Sequence, residues 1–182
     1  MVIAVGLVRG INVGSAKSVS MADLAAAFEA VGFTDVKTLL RSGNVVFGAK
    51  SSPGKAESAA VERELLARTG VSASVLLVEA GAFTRIAEAN PLLDVAKDDS
   101  KLVVTYLAEP PAMEALEVPA ADSIAPEIVS VGSEAVYQWC PLGVSKSVVP
   151  ASFWRVLGPG ATARNWRTVQ RILTEIGTRL ER

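Results

Sequence analysis

The order of apolar segments in residues 1–80 most constrains the fold that this chain can adopt. Val2–Val8 is apolar throughout, which is typical of a central strand that is covered by other elements. The periods of the apolar residues then predict a helix, two strands, a second helix and a last strand at about 21–31, 36–40, 44–47, 55–68 and 72–78. This order is the split β-α-β, or ferredoxin-like, arrangement.

The second half of the chain nearly repeats this order and adds a helix. A linking helix is predicted at 79–90, followed by strands at 101–107, 127–131 and 134–140, a short helix around Met113 and Leu116, and helices at 150–157 and 165–180. We therefore predict an α+β fold of two ferredoxin-like subdomains, 1–80 and 81–182. Each has an antiparallel sheet with helices on one face, and the second ends in an extra C-terminal helix.

The chain contains no histidine and a single cysteine, Cys140. The absence of histidine excludes Cys-His and Ser-His-Asp mechanisms and removes the commonest metal ligand, so no metal and no cofactor are expected. A lone cysteine cannot form an intramolecular disulfide, which favours a reducing compartment. The apolar N-terminus is too short to span a membrane and lacks the basic start of a signal peptide, so a cytoplasmic location is expected.

Two stretches of the first half place Arg, Gly and Asn at the ends of apolar strands. Arg9, Asn12 and Gly14 lie in a loop whose glycines would let backbone N–H groups approach an anion. Arg41 and Asn44 flank a tight turn between two strands. Turn chemistry alone explains the Asn residues, because Asn often satisfies its own backbone. Arg41 is the residue that a turn does not need, and its guanidinium can fork onto a carboxylate or phosphate.

The second half offers a further cationic set. Arg164, Asn165 and Arg167 open the last helix, where Asn165 is a suitable N-cap but two arginines oppose the helix dipole. Either a bound anion or a carboxylate from the acidic middle of the chain would relieve that conflict. Lys146 follows Ser145, but adjacent side chains point apart, which disfavours a Ser-Lys nucleophile. Lys146 therefore remains a candidate ligand-binding cation.

Several motifs in order resemble the DUF1697 family of bacterial proteins. They are Val8–Gly14, Met21–Leu24, Gly32–Val36, Ser42–Phe47 and Thr162–Val169, with Asn90-Pro91 and Ser145-Lys146 also fitting the family pattern. The resemblance implies a two-part α+β fold of ferredoxin-like topology. It implies no activity, because the family is defined by the lack of an assigned one. This chain departs from the pattern at Arg41, where the resemblance implies Gln.

Our leading hypothesis is a cytoplasmic protein that binds a small anionic metabolite or nucleotide in a cleft between the two halves. Its ligands would be Arg9, Asn12, Asn44, Arg164 and Asn165, with Gly14, Arg41, Lys146 and Arg167 as further members. The sequence assigns no reaction, oligomeric state or protein partner. One alternative is nucleic-acid binding through a sheet face with aromatic residues. The other is a protein-interaction module that has no small ligand.

The net charge of −1 predicts no strong affinity for nucleic acid, because phosphate contacts need a basic surface. We expect fluorescence anisotropy to show no binding of mixed-sequence RNA or DNA at micromolar protein and physiological salt. Micromolar or tighter binding that falls steeply as salt rises would contradict this prediction and favour the nucleic-acid alternative.

Overall fold

A computed structural model of the chain describes residues 1–12, 18–110 and 116–181. These residues form eight strands and six α-helices: β1 (Val2–Arg9), α1 (Met21–Ala30), β2 (Thr34–Leu39), β3 (Asn44–Ala49), α2 (Lys55–Thr69), β4 (Ser74–Glu79), α3 (Ala80–Glu88), β5 (Leu102–Tyr106), α4 (Ala121–Ile124), β6 (Ile128–Val131), β7 (Ala135–Trp139), α5 (Ala151–Val156), β8 (Thr162–Asn165) and α6 (Trp166–Leu180). Val144–Lys146 forms a 3₁₀ turn.

The chain forms two compact units, residues 1–84 with 171–182, and residues 85–170. Each unit contains a four-stranded antiparallel sheet, in the orders β2-β3-β1-β4 and β6-β7-β5-β8. The predicted fold class, α+β with antiparallel sheets, is confirmed. The predicted subdomains differ from the compact units in their assignment of the last helix, because residues 171–182 group with the first unit.

The strand β1 is central in the first sheet, as its apolar sequence predicted. It pairs with β3 over Val2–Leu7 and with β4 over Ala4–Arg9, so hydrogen bonds hold it on both sides. Helix α1 begins as predicted at Ser20, whose hydroxyl accepts a hydrogen bond from the Asp23 N–H at 3.0 Å. Gly70 ends α2 in the left-handed conformation that glycine adopts without strain.

The first unit buries α1 and α2 against one face of its sheet. Ala4 and Val8 of β1 and Phe47 of β3 share an apolar cluster with α1 and α2 residues that include Phe28 and Leu65. The ring centroids of Phe28 and Phe47 are 5.2 Å apart in an edge-on arrangement, which aromatic pairs favour. Gly6 provides the space for this packing, because a Cβ atom there would lie 2.5 Å from the Phe28 ring.

The second unit repeats the strand arrangement of the first, with β5 in the central position. Its core contains Ile124 of α4, Val136 of β7 and Phe153 of α5. The chain adds two short elements where loops were predicted, namely α4 and the 3₁₀ turn at Val144–Lys146. Most of the short helix predicted around Met113 falls on residues 111–115, outside the described residues.

The C-terminal part of α6 is tied to the edge strand β2 by an ion-pair network within the first unit. Glu175 pairs with Lys37, and its carboxylate also accepts a hydrogen bond from Arg179 Nε at 2.9 Å. Arg179 Nη1 lies 3.1 Å from the Asp35 carboxylate. Burial alone would raise the pKa of Glu175, but hydrogen bonds and charges from Lys37 and Arg179 outweigh it and lower that pKa.

Gly6→Ala tests the close approach of α1 to β1. We expect the variant to lose about 1–3 kcal/mol of unfolding free energy, because an added methyl group overpacks the core at Phe28. Gly177→Ala in α6 is the matched control, since no atom lies within 4 Å of its added Cβ. That control should gain about 1 kcal/mol from the higher helix propensity of Ala. Urea unfolding measures both, and a Gly6→Ala protein as stable as wild type would contradict the packing.

Candidate functional site

Two loops of the first unit meet at a junction, which we define as Gly10–Asn12 together with Leu40–Gly43. The Asn12 side chain joins them, because Nδ2 donates to the Arg41 carbonyl at 2.8 Å. The same Nδ2 also donates to the Val19 carbonyl at 3.2 Å, and Oδ1 accepts from the Val19 N–H at 2.9 Å. The amide of Asn12 is therefore used to hold backbone groups of the loop and the turn together.

Asn44 plays a similar part from inside the turn. It is completely buried, and its Nδ2 donates to the Leu39 carbonyl and to Ser42 Oγ, each at 3.0 Å. The Val8 N–H donates to the Gly43 carbonyl at 2.7 Å, which binds the turn to the end of β1. A Cβ atom at Gly43 would lie 2.9 Å from the Val8 carbonyl oxygen, so this approach requires glycine.

The junction holds backbone in a conformation that most residues avoid. Asn12 has a φ of 55° and Leu40 a φ of 61°, while Gly10 and Gly43 have φ values of 86° and 80°. Asn tolerates this left-handed region, but Leu has no side-chain group that compensates for its cost. Strain of this kind persists only where the surrounding structure imposes it, and it is concentrated at functional sites.

Two of the predicted site residues, Arg9 and Arg41, are exposed beside this junction. Arg9 ends β1, and Arg41 lies in the turn directly after the strained Leu40. The Arg41 carbonyl is fixed by Asn12, whereas its guanidinium makes no hydrogen bond or ion pair with any described residue. Gly14, the remaining predicted member of this set, lies outside the described residues.

In the second unit, Arg164 lies on the edge strand β8, paired in register with Val104 of β5. Its Nη1 donates to the Ala163 carbonyl at 2.7 Å. Burial lowers the pKa of Arg164 to about 10, against the opposing influence of nearby Tyr106. Arg164 therefore still carries its charge at neutral pH, although it is partly buried.

Asn165 and Arg167 are placed at the start of α6. Asn165 caps the helix, because its Oδ1 accepts hydrogen bonds from the N–H of Thr168 at 3.0 Å and from the Thr168 hydroxyl at 2.8 Å. Arg167 is exposed, and its backbone N–H donates to the Asp99 carbonyl at 3.3 Å. Hydrogen bonds from Ser100 are the main cause of the lowered pKa of Asp98, and the charge of Arg167 contributes. The acidic middle of the chain thus partly offsets Arg167.

Lys146 is exposed in the 3₁₀ turn. Its backbone N–H donates to the Gly143 carbonyl at 2.9 Å, and its side chain bonds to no described residue. The structure thus brings Asn12, Arg41 and Asn44 together in one unit and places Lys146, Arg164, Asn165 and Arg167 in the other. The role of these residues in ligand binding stays a prediction. The asparagine side chains are already bonded to neighbouring groups, whereas the guanidinium of Arg41 bonds to no described residue.

A buried carboxylate in the second unit was missed by the sequence reasoning. Glu127 is 6% exposed, and its carboxylate accepts hydrogen bonds from Gln138 Nε2 at 2.7 Å, Ser147 Oγ at 2.8 Å and the Val148 N–H at 2.7 Å. The available signal was a pair of polar residues, Glu127 and Gln138, at the start of one apolar strand and inside the next. These bonds fasten the segment after the 3₁₀ turn to the sheet.

Cys140 lies beside this carboxylate, with its Sγ 3.8 Å from Glu127 Oε2. Burial and the negative charge of Glu127 raise the pKa of the Cys140 thiol to about 12. The thiol is therefore protonated at neutral pH and unsuited to nucleophilic attack. Cys140 itself is buried. Within residues 1–12, 18–110 and 116–181, no cluster of three or more Cys, Asp or Glu side chains could hold a metal ion.

Comparison with known proteins identifies the family. A profile described as "Protein of unknown function (DUF1697)" matches residues 1–137. The chain belongs to the DUF1697 family. This confirms the resemblance found in the motifs. A comparison with curated proteins gives no match. In the part of this DUF1697 protein that the structure describes, no helix has the length and apolar character needed to cross a membrane.

A solved structure shares the fold of this DUF1697 protein. It is that of the conserved bacterial protein SP0830 from Streptococcus pneumoniae, which is 22% identical in sequence. The match has a TM-score of 0.66 and covers 95% of this chain and 97% of that chain. At this level of identity the likeness supports the fold alone.

Asn12→Ala tests whether the Asn12 amide holds the loop junction together. We expect a loss of about 1–3 kcal/mol in unfolding free energy, because three hydrogen bonds to backbone groups disappear. Asn12→Gly removes the same bonds but permits positive φ, so it should be about 1 kcal/mol more stable than Asn12→Ala. Urea unfolding of the three proteins gives both differences. Wild-type stability in Asn12→Ala would show that the junction does not depend on this amide.

Proposed function

We propose that this DUF1697 protein binds a small anionic metabolite, such as a carboxylated or phosphorylated compound or a nucleotide, through Arg41 at the loop junction. The observation that supports this most is the combination of Leu40 at a φ of 61° with an Arg41 carbonyl held by Asn12. A hairpin could connect β2 and β3 without strain, so a strained turn that presents a cation is better explained by function than by folding.

The chemistry of Arg41 fits an anion. A guanidinium offers two parallel N–H donors that match the oxygens of a carboxylate or phosphate. The Arg41 carbonyl is held by Asn12, and the buried Asn44 holds the turn around it by donating to the Leu39 carbonyl and to Ser42 Oγ. A fixed backbone lowers the entropy lost when a ligand orders the side chain. Arg9, at the end of β1, is the second cation that we assign to this set.

Arg164 is the corresponding candidate in the second unit, with Arg167 and Lys146 as further cations. Arg164 supports this set because it keeps its charge in a partly buried position, where an electrostatic interaction with an anion is stronger than in water. The proposal concerns binding, and any catalysis would rest on charge stabilisation by these cations. We also propose a cytoplasmic location, which the single, reduced and buried Cys140 supports.

The test is a thermal-shift screen of phosphorylated and carboxylated metabolites, followed by calorimetry on any compound that stabilises the wild-type protein. Arg41→Ala should weaken binding of that compound by about 1.5–3 kcal/mol, which is more than tenfold in Kd. The melting temperature without ligand should stay near that of wild type, because the Arg41 side chain bonds to no described residue.

The matched control is Arg63→Ala, which removes the same charge from an exposed arginine of α2 that also bonds to no described residue. It should bind the compound as wild type does. Arg164→Ala, measured in parallel, tells whether the second set contributes. Wild-type protein that responds to no compound in the panel, or equal weakening by Arg41→Ala and Arg63→Ala, would overturn the proposed site.

A further inference from the structure

The strand β6 forms one outer edge of the second sheet. The strand β6, with the sequence Ile-Val-Ser-Val, pairs with β7 on one side and with no strand of the described residues on the other. Its register against β7 is continuous over Ile128–Val131, so no bulge turns the edge away. Native proteins normally protect such an edge with charge, proline or a bulge. The four residues of β6 have none of these.

The hydrogen-bond ladder between β6 and β7 shows which backbone groups of β6 point outward. Gly132 donates its N–H to the Ala135 carbonyl at 2.8 Å, and antiparallel bonding alternates from there. Ser130 and Ile128 therefore bond toward β7, while the N–H and C=O groups of Val129 and Val131 point outward. Those outward groups bond to no described residue. The Val129 and Val131 side chains pack against the core of the unit, which holds the edge in place.

A groove runs beside this edge, on the face of the sheet opposite that core. Its far wall is the last turn of α3 and the residues that follow, anchored by a 2.8 Å hydrogen bond from the Tyr137 hydroxyl to the Ile86 carbonyl. Its near wall is Ser130 and Val131 of β6 with the turn into β7. The groove has a volume of about 610 Å³. An edge strand with a helix beside it is the geometry in which extended peptides add to a sheet.

The charges and donors of the groove indicate what it would accept. Glu88 and Glu134 line it together with Arg85, whose Nη2 lies 3.5 Å from Glu134 Oε1. The charged side chains that line the groove are thus two carboxylates and one guanidinium, and this net negative charge favours a cation. Asn90 stands between two lining residues, is 5% exposed, and its Nδ2 has no hydrogen-bond partner among the described residues.

We propose that an extended peptide segment carrying lysine or arginine docks here by adding a strand to β6. Its backbone pairs with Val129 and Val131, and its basic side chain meets Glu88 and Glu134 in the groove. Backbone pairing supplies affinity, and the acidic wall supplies the preference for charge. This surface is separate from the anion-binding residues proposed above, so either proposal can fail without the other.

The experiment is a nitrogen-15 NMR titration of the full chain with an acetylated seven-residue peptide of alternating valine and lysine. We expect the amide signals of Val129 and Val131 to shift and their exchange with solvent to slow. The same peptide with alternate backbone nitrogens methylated should bind about tenfold more weakly, because it loses hydrogen bonds to the edge. A valine–glutamate peptide should also bind more weakly than the valine–lysine peptide.

Two variants separate the edge from the groove. Val131→Pro removes an outward N–H but no bond to β7, so it should weaken peptide binding while signals elsewhere in the sheet stay in place. Glu88→Lys should weaken binding of the valine–lysine peptide several-fold. Glu29→Lys, on the exposed face of α1, is the charge-matched control and should change nothing.

Three results would overturn the proposal. One is the absence of shifts at Val129 and Val131 with the valine–lysine peptide. Another is an equal response to free lysine or to the methylated peptide, which would indicate a small-cation site. The third is the same shifts appearing with protein concentration alone, which would show that a second copy of the chain occupies the edge.

Discussion

Hydrogen bonding on both sides of β1 is the constraint on which the first unit depends. The strand pairs with β3, which follows it in the chain after α1 and β2, and with β4, which follows after a second helix, α2. A strand in that position must be apolar on both faces, and Val5, Leu7 and Val8 are buried to within 1% of full burial. Gly6 is the exception that this packing requires, because the Phe28 ring occupies the space of a side chain.

The asparagines show how polar residues at the ends of elements serve the fold. Asn12, Asn44 and Asn165 each bond to backbone groups that regular structure leaves without a partner: those of a loop, a turn and a helix N-terminus. An amide has both donors and an acceptor, so one side chain can join two such segments. The residues of a fold junction and those of a ligand site therefore look alike in sequence, and only the bonding separates them.

Most of the fold could be predicted from the sequence because its signals are local. The apolar run of β3, the cap at Ser20 and the glycine at Gly70 each act over a few residues. Glu127 could not be predicted, because its role depends on Gln138 and Ser147, which come close only after the second sheet forms. The strain at Leu40 also escaped prediction, since nothing in a leucine indicates positive φ.

Three arginine side chains, those of Arg179, Arg167 and Arg41, lie in different environments, and the differences decide which can bind a ligand. Arg179 is 8% exposed and committed to Glu175 and Asp35, so its removal would leave the buried Glu175 carboxylate with Lys37 as its one remaining ion-pair partner among the described residues. Arg167 lies close to the acidic loop and is partly offset by Asp98. Arg41 has a fixed backbone and an exposed guanidinium that bonds to no described residue. An incoming anion would displace only water from Arg41, whereas at Arg179 it would compete with two carboxylates. That difference in cost is the physical reason to look for the ligand at the strained turn.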